Sequence, residues 1–226
     1  MLGLVFVEAS LELVPQRLIH HPSVLKNAKR EGKKPEETLL DKNLHYRAML
    51  GIDEEEKRGR PDIIHFCLLE ALGSPLNKEG NLKVAIHTID GKAIEINPEV
   101  RLPRDCYRFK NLMERLLIEG QVPPPPKAPL LKSENISLND LKKRFNPTKT
   151  FALTSHATQI KLDNLCNNLT HEERPLVFIG AYPHGEYRKE TLIEADETSS
   201  IYTKTLEAWV VTSRIIYEYE KQSATT

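Results

Sequence analysis

Two short apolar runs, Phe151-Ala-Leu-Thr154 and Val177-Phe-Ile-Gly180, flank a segment from Gln159 to Asn168 with helical spacing. Each run is too short for a helix and is bounded by turn residues, so both read as buried strands. Strand, helix, strand makes a βαβ unit, and that unit requires a parallel sheet covered by helices. The chain is therefore α/β, with a doubly wound second half. The apolar run from Pro175 to Gly180 leads into a glycine-bracketed loop, Ala181-Tyr-Pro-His-Gly185. A second polar stretch, Ser199-Ser-Ile-Tyr-Thr-Lys-Thr-Leu206, precedes the helix-like segment from Glu207 to Tyr217. Open α/β sheets bind ligands in the crevice outside the carboxyl ends of their strands, so these two loops form the candidate crevice.

The 226 residues, 39% apolar and 28% charged, suffice for one substantial core. Lysine plus arginine and aspartate plus glutamate both total 32. No global field attracts nucleic acid, and an anionic partner must be met by a local patch. Met1-Leu-Gly-Leu-Val-Phe-Val7 lacks a basic leader, is interrupted at Glu8 and is too short to span a bilayer, so it reads as a buried first strand. Cys67, Cys106 and Cys166 are far apart, which supports neither a disulfide framework nor a zinc site and fits a reducing cytoplasm. The histidines, His20, His21, His65, His87, His156 and His184 among them, show no metal-ligand spacing, and no metal is expected.

Further elements follow from local pattern. The charged stretch from Lys26 to Pro35 has no apolar period and reads as an exposed basic loop near 24–36. Pro61 to Gly73 carries proline at a first helical position and glycine at its end, the marks of a buried helix. His65 on that helix reads as a satisfied core or interface residue, and the acidic run Asp53 to Glu56 as a solvated face. Leu82 to Ile89 and Lys92 to Ile96 flank Asp90-Gly91, the signature of a two-residue hairpin turn. Arg104 to Glu119 spaces Phe109, Leu112, Met113, Leu116 and Leu117 as a helix closed by Gly120. Val122-Pro-Pro-Pro-Pro126 forces a stiff connector and marks the best candidate boundary. Ser137 to Asp140 resembles a capping box for a helix ending before Pro147. Trp209, Val210, Ile215 and Ile216 suit a core or dimer face, and the tail from Lys221 to Thr226 is expected to fray.

Neither a Gly-x-Gly-x-x-Gly nor a Gly-Lys-Ser/Thr motif occurs, which weakens dinucleotide and nucleoside-triphosphate readings. Arg101, Arg104 and Arg108 recur at spacings of three and four. Arg104 and Arg108 are expected on one helix face, where their planar forks suit phosphate oxygens, although isolated surface arginines more often make solvated ion pairs.

In their order along the chain, Arg60-Pro-Asp-Ile-Ile-His-Phe66, Gly73-Ser-Pro-Leu76, Arg101-Leu-Pro-Arg-Asp-Cys-Tyr-Arg-Phe109, Phe178-Ile-Gly-Ala-Tyr-Pro-His-Gly185 and Ile201-Tyr-Thr-Lys-Thr-Leu206 resemble one family closely. It is the archaeal and eukaryotic ribosome-biogenesis enzymes that methylate N1 of a pseudouridine in small-subunit ribosomal RNA. These belong to the SPOUT methyltransferases, and the resemblance covers nearly the whole chain. It implies an α/β knot: a single domain over 1–226 with a hairpin and arginine-bearing helix at 82–120, a proline-rich connector at 122–132 and a cofactor-binding trefoil knot at 150–221. True knots are so rare that periodicity alone proposes none.

The resemblance further implies S-adenosylmethionine as cofactor, held by Thr154, Gly180, Gly185, Ile201, Tyr202, Thr203, Lys204, Thr205 and Leu206. The two glycines are expected to let the backbone approach adenine and ribose, since this cofactor has no phosphate. A small-subunit rRNA stem-loop is the expected substrate, met by Arg60, Arg101, Arg104 and Arg108. A homodimer and other ribosome assembly proteins are expected partners, with the arginines open to coming from the dimer partner. Asp62 has two readings: general base for the N1 proton, or an ion pair that orients Arg60 and offsets a helix dipole. Two other functions stay open, a non-catalytic RNA-binding assembly factor and a SPOUT enzyme acting on tRNA.

Overall fold

Strand β1 (Leu2–Ala9) is buried at every position, which a strand achieves only in the middle of a sheet covered on both faces. A computed structural model, describing residues 1–223, places it so. The other strands are β2 (Leu82–Thr88), β3 (Lys92–Ile96), β4 (Gln121–Val122), β5 (Leu131–Asn135), β6 (Lys149–Leu153), β7 (Pro175–Gly180) and β8 (Glu197–Ser199). The helices are α1 (Pro22–Glu31), α2 (Lys42–Met49), α3 (Pro61–Gly73), α4 (Pro75–Lys78), α5 (Cys106–Glu119), α6 (Leu138–Phe145), α7 (Leu162–Thr170), α8 (Lys189–Ile193) and α9 (Ala208–Ser223).

One mixed sheet runs β4-β5-β3-β2-β1-β7-β6-β8. Its β2-β1-β7-β6-β8 portion is parallel, and the β2–β3 hairpin turns it antiparallel toward β5 and β4. The βαβ unit is β6-α7-β7. The alternation of β1 divides the core: Leu2, Leu4 and Phe6 join α3, α5, α7 and α9 on one face, and Val5 and Val7 join Leu138 and Leu141 of α6 on the other.

Four expectations need correction. The stretch near 24–36 is not wholly an exposed loop: α1 runs through Glu31, burying Val24, Asn27 and Ala28 and stopping at left-handed Gly32 (φ 65°). Arg104 is not helical, because Asp105 caps α5 by accepting from the Arg108 amide at 2.9 Å. The proline run does not separate two sheets; it lies in the connection between β4 and β5, which pair in the same sheet. The tail is helical through Ser223, and residues 224–226 lie outside the described residues. The expected cap of α6 is present, Ser137 Oγ accepting from the Asp140 amide at 3.1 Å.

Candidate active site

Parallel pairing brings the carboxyl ends of β6, β7 and β8 side by side, with Leu153 opposite both Ile179 and Ser199. The chain leaves each strand there in a loop. The loops after β6 and β8 are stitched together: Thr154 N donates to Ser199 O at 3.0 Å, Ile160 N to Ser200 O at 2.8 Å and Ser200 N to Thr158 O at 3.0 Å. The loop after β7 is tied to β1 through Ala181 N to Val7 O at 3.1 Å and Ser10 N to Ala181 O at 2.8 Å. Between them opens a cavity of about 550 Å³, within the size range of sites that take a drug-sized molecule.

Thr154, Gly180, Gly185, Ile201, Tyr202, Lys204, Thr205 and Leu206 all line this cavity; Thr203 does not. The wall also includes residues that no spacing had singled out, among them Ile63, Ser155, Tyr182, Glu186 and Glu207. Glu207 read only as the start of a helix, and Ile63 only as one position in the helix from Pro61 to Gly73. The glycines are required by the protein itself. A Cβ on Gly180 would stand 2.8 Å from the Tyr182 ring, and Gly185 has φ 106°, a conformation that side chains disfavour.

The wall mixes apolar surface with hydroxyls and backbone groups, and its carboxylates, Glu186 and Glu207, oppose the lone ammonium of Lys204. Such a balance supplies no cluster of cations for a polyphosphate, and the helix N-terminus that reaches the wall, that of α9 at Ala208, carries the carboxylate of Glu207 beside it. Tyr187 donates from its hydroxyl to Leu153 O at 2.9 Å, joining the ends of β6 and the β7 loop, and burial pushes its phenol well above the usual range. Among the described residues, no group of three His, Cys, Asp or Glu side chains could hold a metal, and no helix is long and apolar enough to cross a membrane.

Neither Arg60 nor Asp62 lines the cavity, but Ile63, the residue after Asp62, does. Arg60 caps α3, its amide donating to Ser10 Oγ at 2.8 Å, and Asp62 and Ile63 follow in the first turn. Arg60 Nε lies 2.8 Å from Asp62 Oδ1, and its Nη2 lies 2.7 Å from Oδ2. These bonds raise the arginine's pKa against partial burial, with a further contribution from Glu207 in the cavity wall. The next arginines are held close by His65, one turn further along α3. Its Nε2 donates to Pro103 O at 2.7 Å, and its ring stacks on Phe109 with centroids 4.1 Å apart. His65 is thus the buried core histidine expected, but it is only half satisfied, since its Nδ1 has no hydrogen-bond partner; through Nε2 it anchors the segment bearing Arg101 and Arg104. Arg101, Arg104 and Arg108 are exposed, and none makes a side-chain ion pair among the described residues. The acidic run is less solvated than expected, since Glu54 pairs with Arg188 and Lys57.

Residues 4–220 match the family model for EMG1/NEP1 methyltransferase. Ribosomal RNA small subunit methyltransferase Nep1 of Staphylothermus marinus is 46% identical over 215 residues, covering 95% of this chain and 93% of that protein. The enzyme of the same name from Thermococcus onnurineus is 40% identical over 220 residues, covering 97% and 98%. The crystal structure of Archaeoglobus fulgidus Nep1 bound to S-adenosylhomocysteine superposes with a TM-score of 0.87 at 38% identity, covering 98% of each chain. With the ordered motifs, the sheet and the cavity in agreement along nearly its whole length, the chain belongs to the EMG1/NEP1 methyltransferase family.

Proposed function

We propose that this protein transfers the methyl group of S-adenosylmethionine to N1 of a specific pseudouridine in small-subunit ribosomal RNA. The observation that carries the reading is a ligand-sized cavity at the ends of the parallel strands whose wall includes Ile63, next to the Arg60–Asp62 pair, in a chain that also exposes three arginines without ion-pair partners. A fold relative crystallised with S-adenosylhomocysteine supports the choice of donor. The wall suits it too: carboxylates Glu186 and Glu207 match a cationic ligand. When bound, the donor supplies an electrophilic methyl group on a sulfonium. Thr154, Gly180, Gly185 and the 201–206 loop would hold it.

On the acceptor side, Arg60 keeps Nη1 free of Asp62 and would grip a phosphate, with Arg101, Arg104 and Arg108 extending that grip along a stem-loop while the target base is splayed into the cavity. Asp62 in this reading orients Arg60. Both of its oxygens already accept from the guanidinium, the geometry of an orienting ion pair. A SPOUT trefoil knot spanning 150–221 in a single domain, a homodimer, a cytoplasmic site of action and other ribosome assembly proteins as partners complete the proposal.

Purified protein, labelled S-adenosylmethionine and a pseudouridine-containing hairpin test it. Label in that hairpin, absent when uridine replaces pseudouridine, is the expected result. Binding without transfer would make the protein a non-catalytic assembly factor, and equal labelling of uridine would move it to another SPOUT substrate class.

A further inference from the structure

Four charges from three distant stretches of the chain meet beneath the loop that follows β7. Lys57 Nζ lies 2.6 Å from Glu8 Oε2, with the two side chains only 5% and 2% exposed. The other Glu8 oxygen accepts from the Arg188 amide at 2.8 Å. Arg188 Nε donates to Glu54 Oε1 at 2.8 Å, and Lys57 also lies 3.4 Å from that oxygen. Two acids and two bases close the cluster at zero net charge. Taking such groups out of water is expensive, and losing one partner strands another in a dry site. Glu8 is further held at φ 50°, where the β1–β2 register shifts. A non-glycine residue stays in that region only where its surroundings enforce it, and such positions gather at functional sites.

The loop rests on this cluster at three points. Arg188 fixes its end. A Cβ on Gly185 would stand 3.2 Å from Lys57 Cε, so the loop backbone lies along the lysine stem. Lys57 Nζ sits 5.0 Å from the centroid of the Tyr182 ring, in cation–π range. Tyr182 and Gly185 both line the cavity, while Lys57 and Glu8 do not.

We propose that Lys57 and Glu8 are positioning residues: their buried pair sets the height of the 181–188 loop and so shapes the cavity for the methyl donor. This rests on the cavity being the donor site. Lys57→Met keeps the stem and removes the charge, Glu8→Gln is the milder change, and the double variant removes both charges. In hydrogen exchange without ligand, Lys57→Met is expected to speed exchange across 181–188 and to leave β6 and β7 protected. By calorimetry it should raise the Kd for S-adenosylhomocysteine roughly tenfold or more with hairpin affinity unchanged, and the double variant should recover part of that loss. In turnover, KM for the donor should rise while kcat at saturating donor is kept.

Loop protection equal to wild type in a cooperatively melting Lys57→Met protein would overturn the proposal. So would faster exchange spread over the whole sheet, with both affinities falling together; Glu8→Gln then repeats the comparison in a less perturbed protein. Wild-type protein that binds no S-adenosylhomocysteine sinks the functional reading instead, and loop exchange alone then decides the role of the pair.

Discussion

Both carboxylate oxygens of Asp62 are engaged by the Arg60 guanidinium, Nε to Oδ1 at 2.8 Å and Nη2 to Oδ2 at 2.7 Å. Asp62→Asn therefore breaks a charged fork and leaves Arg60 free to rotate. Hydrogen bonds to charged groups are worth about 1.5–3 kcal/mol, so kcat/KM for the hairpin should fall roughly ten- to a hundredfold. The pH–rate profile should keep its shape. A profile that flattens on the acid side would assign Asp62 the N1 proton instead.

Arg104 and Arg108 are exposed without ion-pair partners, so replacing them by alanine costs the protein little stability. Hairpin affinity should weaken for each. The slope of log K against log salt should drop by about 0.7–0.9 for every phosphate that is no longer neutralised. Titrations at several salt concentrations check this, and S-adenosylhomocysteine affinity should not move.

His65→Phe keeps a ring against Phe109 but removes the donor to Pro103 O. Thermal melting should show a loss of about 1 kcal/mol. The informative readout is differential: hairpin affinity should fall more than S-adenosylhomocysteine affinity, because the arginine segment loses its tether to α3 while the cavity keeps its walls.

Glu12 is buried, and burial raises its pKa to about 7 from 4.5, against the lowering effect of Arg58 and helped by Asp90. Its Oε2 accepts from Arg58 Nη1 at 2.6 Å, and Oε1 has no partner. With the folded pKa above the unfolded one, the native state holds the extra proton between about pH 4.5 and 7. Stability contributed by this group therefore falls as pH rises through that window and levels off above it. The change is of order 3 kcal/mol. Glu12→Gln should flatten this part of the curve in denaturant titrations across pH, and an unchanged curve would assign the dependence elsewhere.

What could be read in the sequence followed from local physics. The apolar period of α3 and α5 and the β6-α7-β7 unit are carried by local pattern, and the structure has them; the hairpin is there too, but it turns through three residues, Ile89 to Gly91, with Gly91 and not Asp90 at positive φ, rather than through the two-residue turn expected. Helix α1 was not legible in this way, because its buried stripe is little more than Val24 and Ala28 and lies at the edge of a lysine-rich run. Arg104 fell on the wrong side of a cap because Asp105 captures the Arg108 amide, a choice that helical spacing does not encode. The polar cavity residues were legible as a pair of loops. Glu8, Glu54, Lys57 and Arg188 were not, since their association is made only by the strands that bring positions 8 and 188 together.

Both margins of the sheet end in stubs: β4 has two residues and β8 three. Neither offers a row of open amides and carbonyls long enough to recruit a strand from another molecule. Copies of this chain are thereby steered away from zipping edge to edge into fibres through either margin of the sheet.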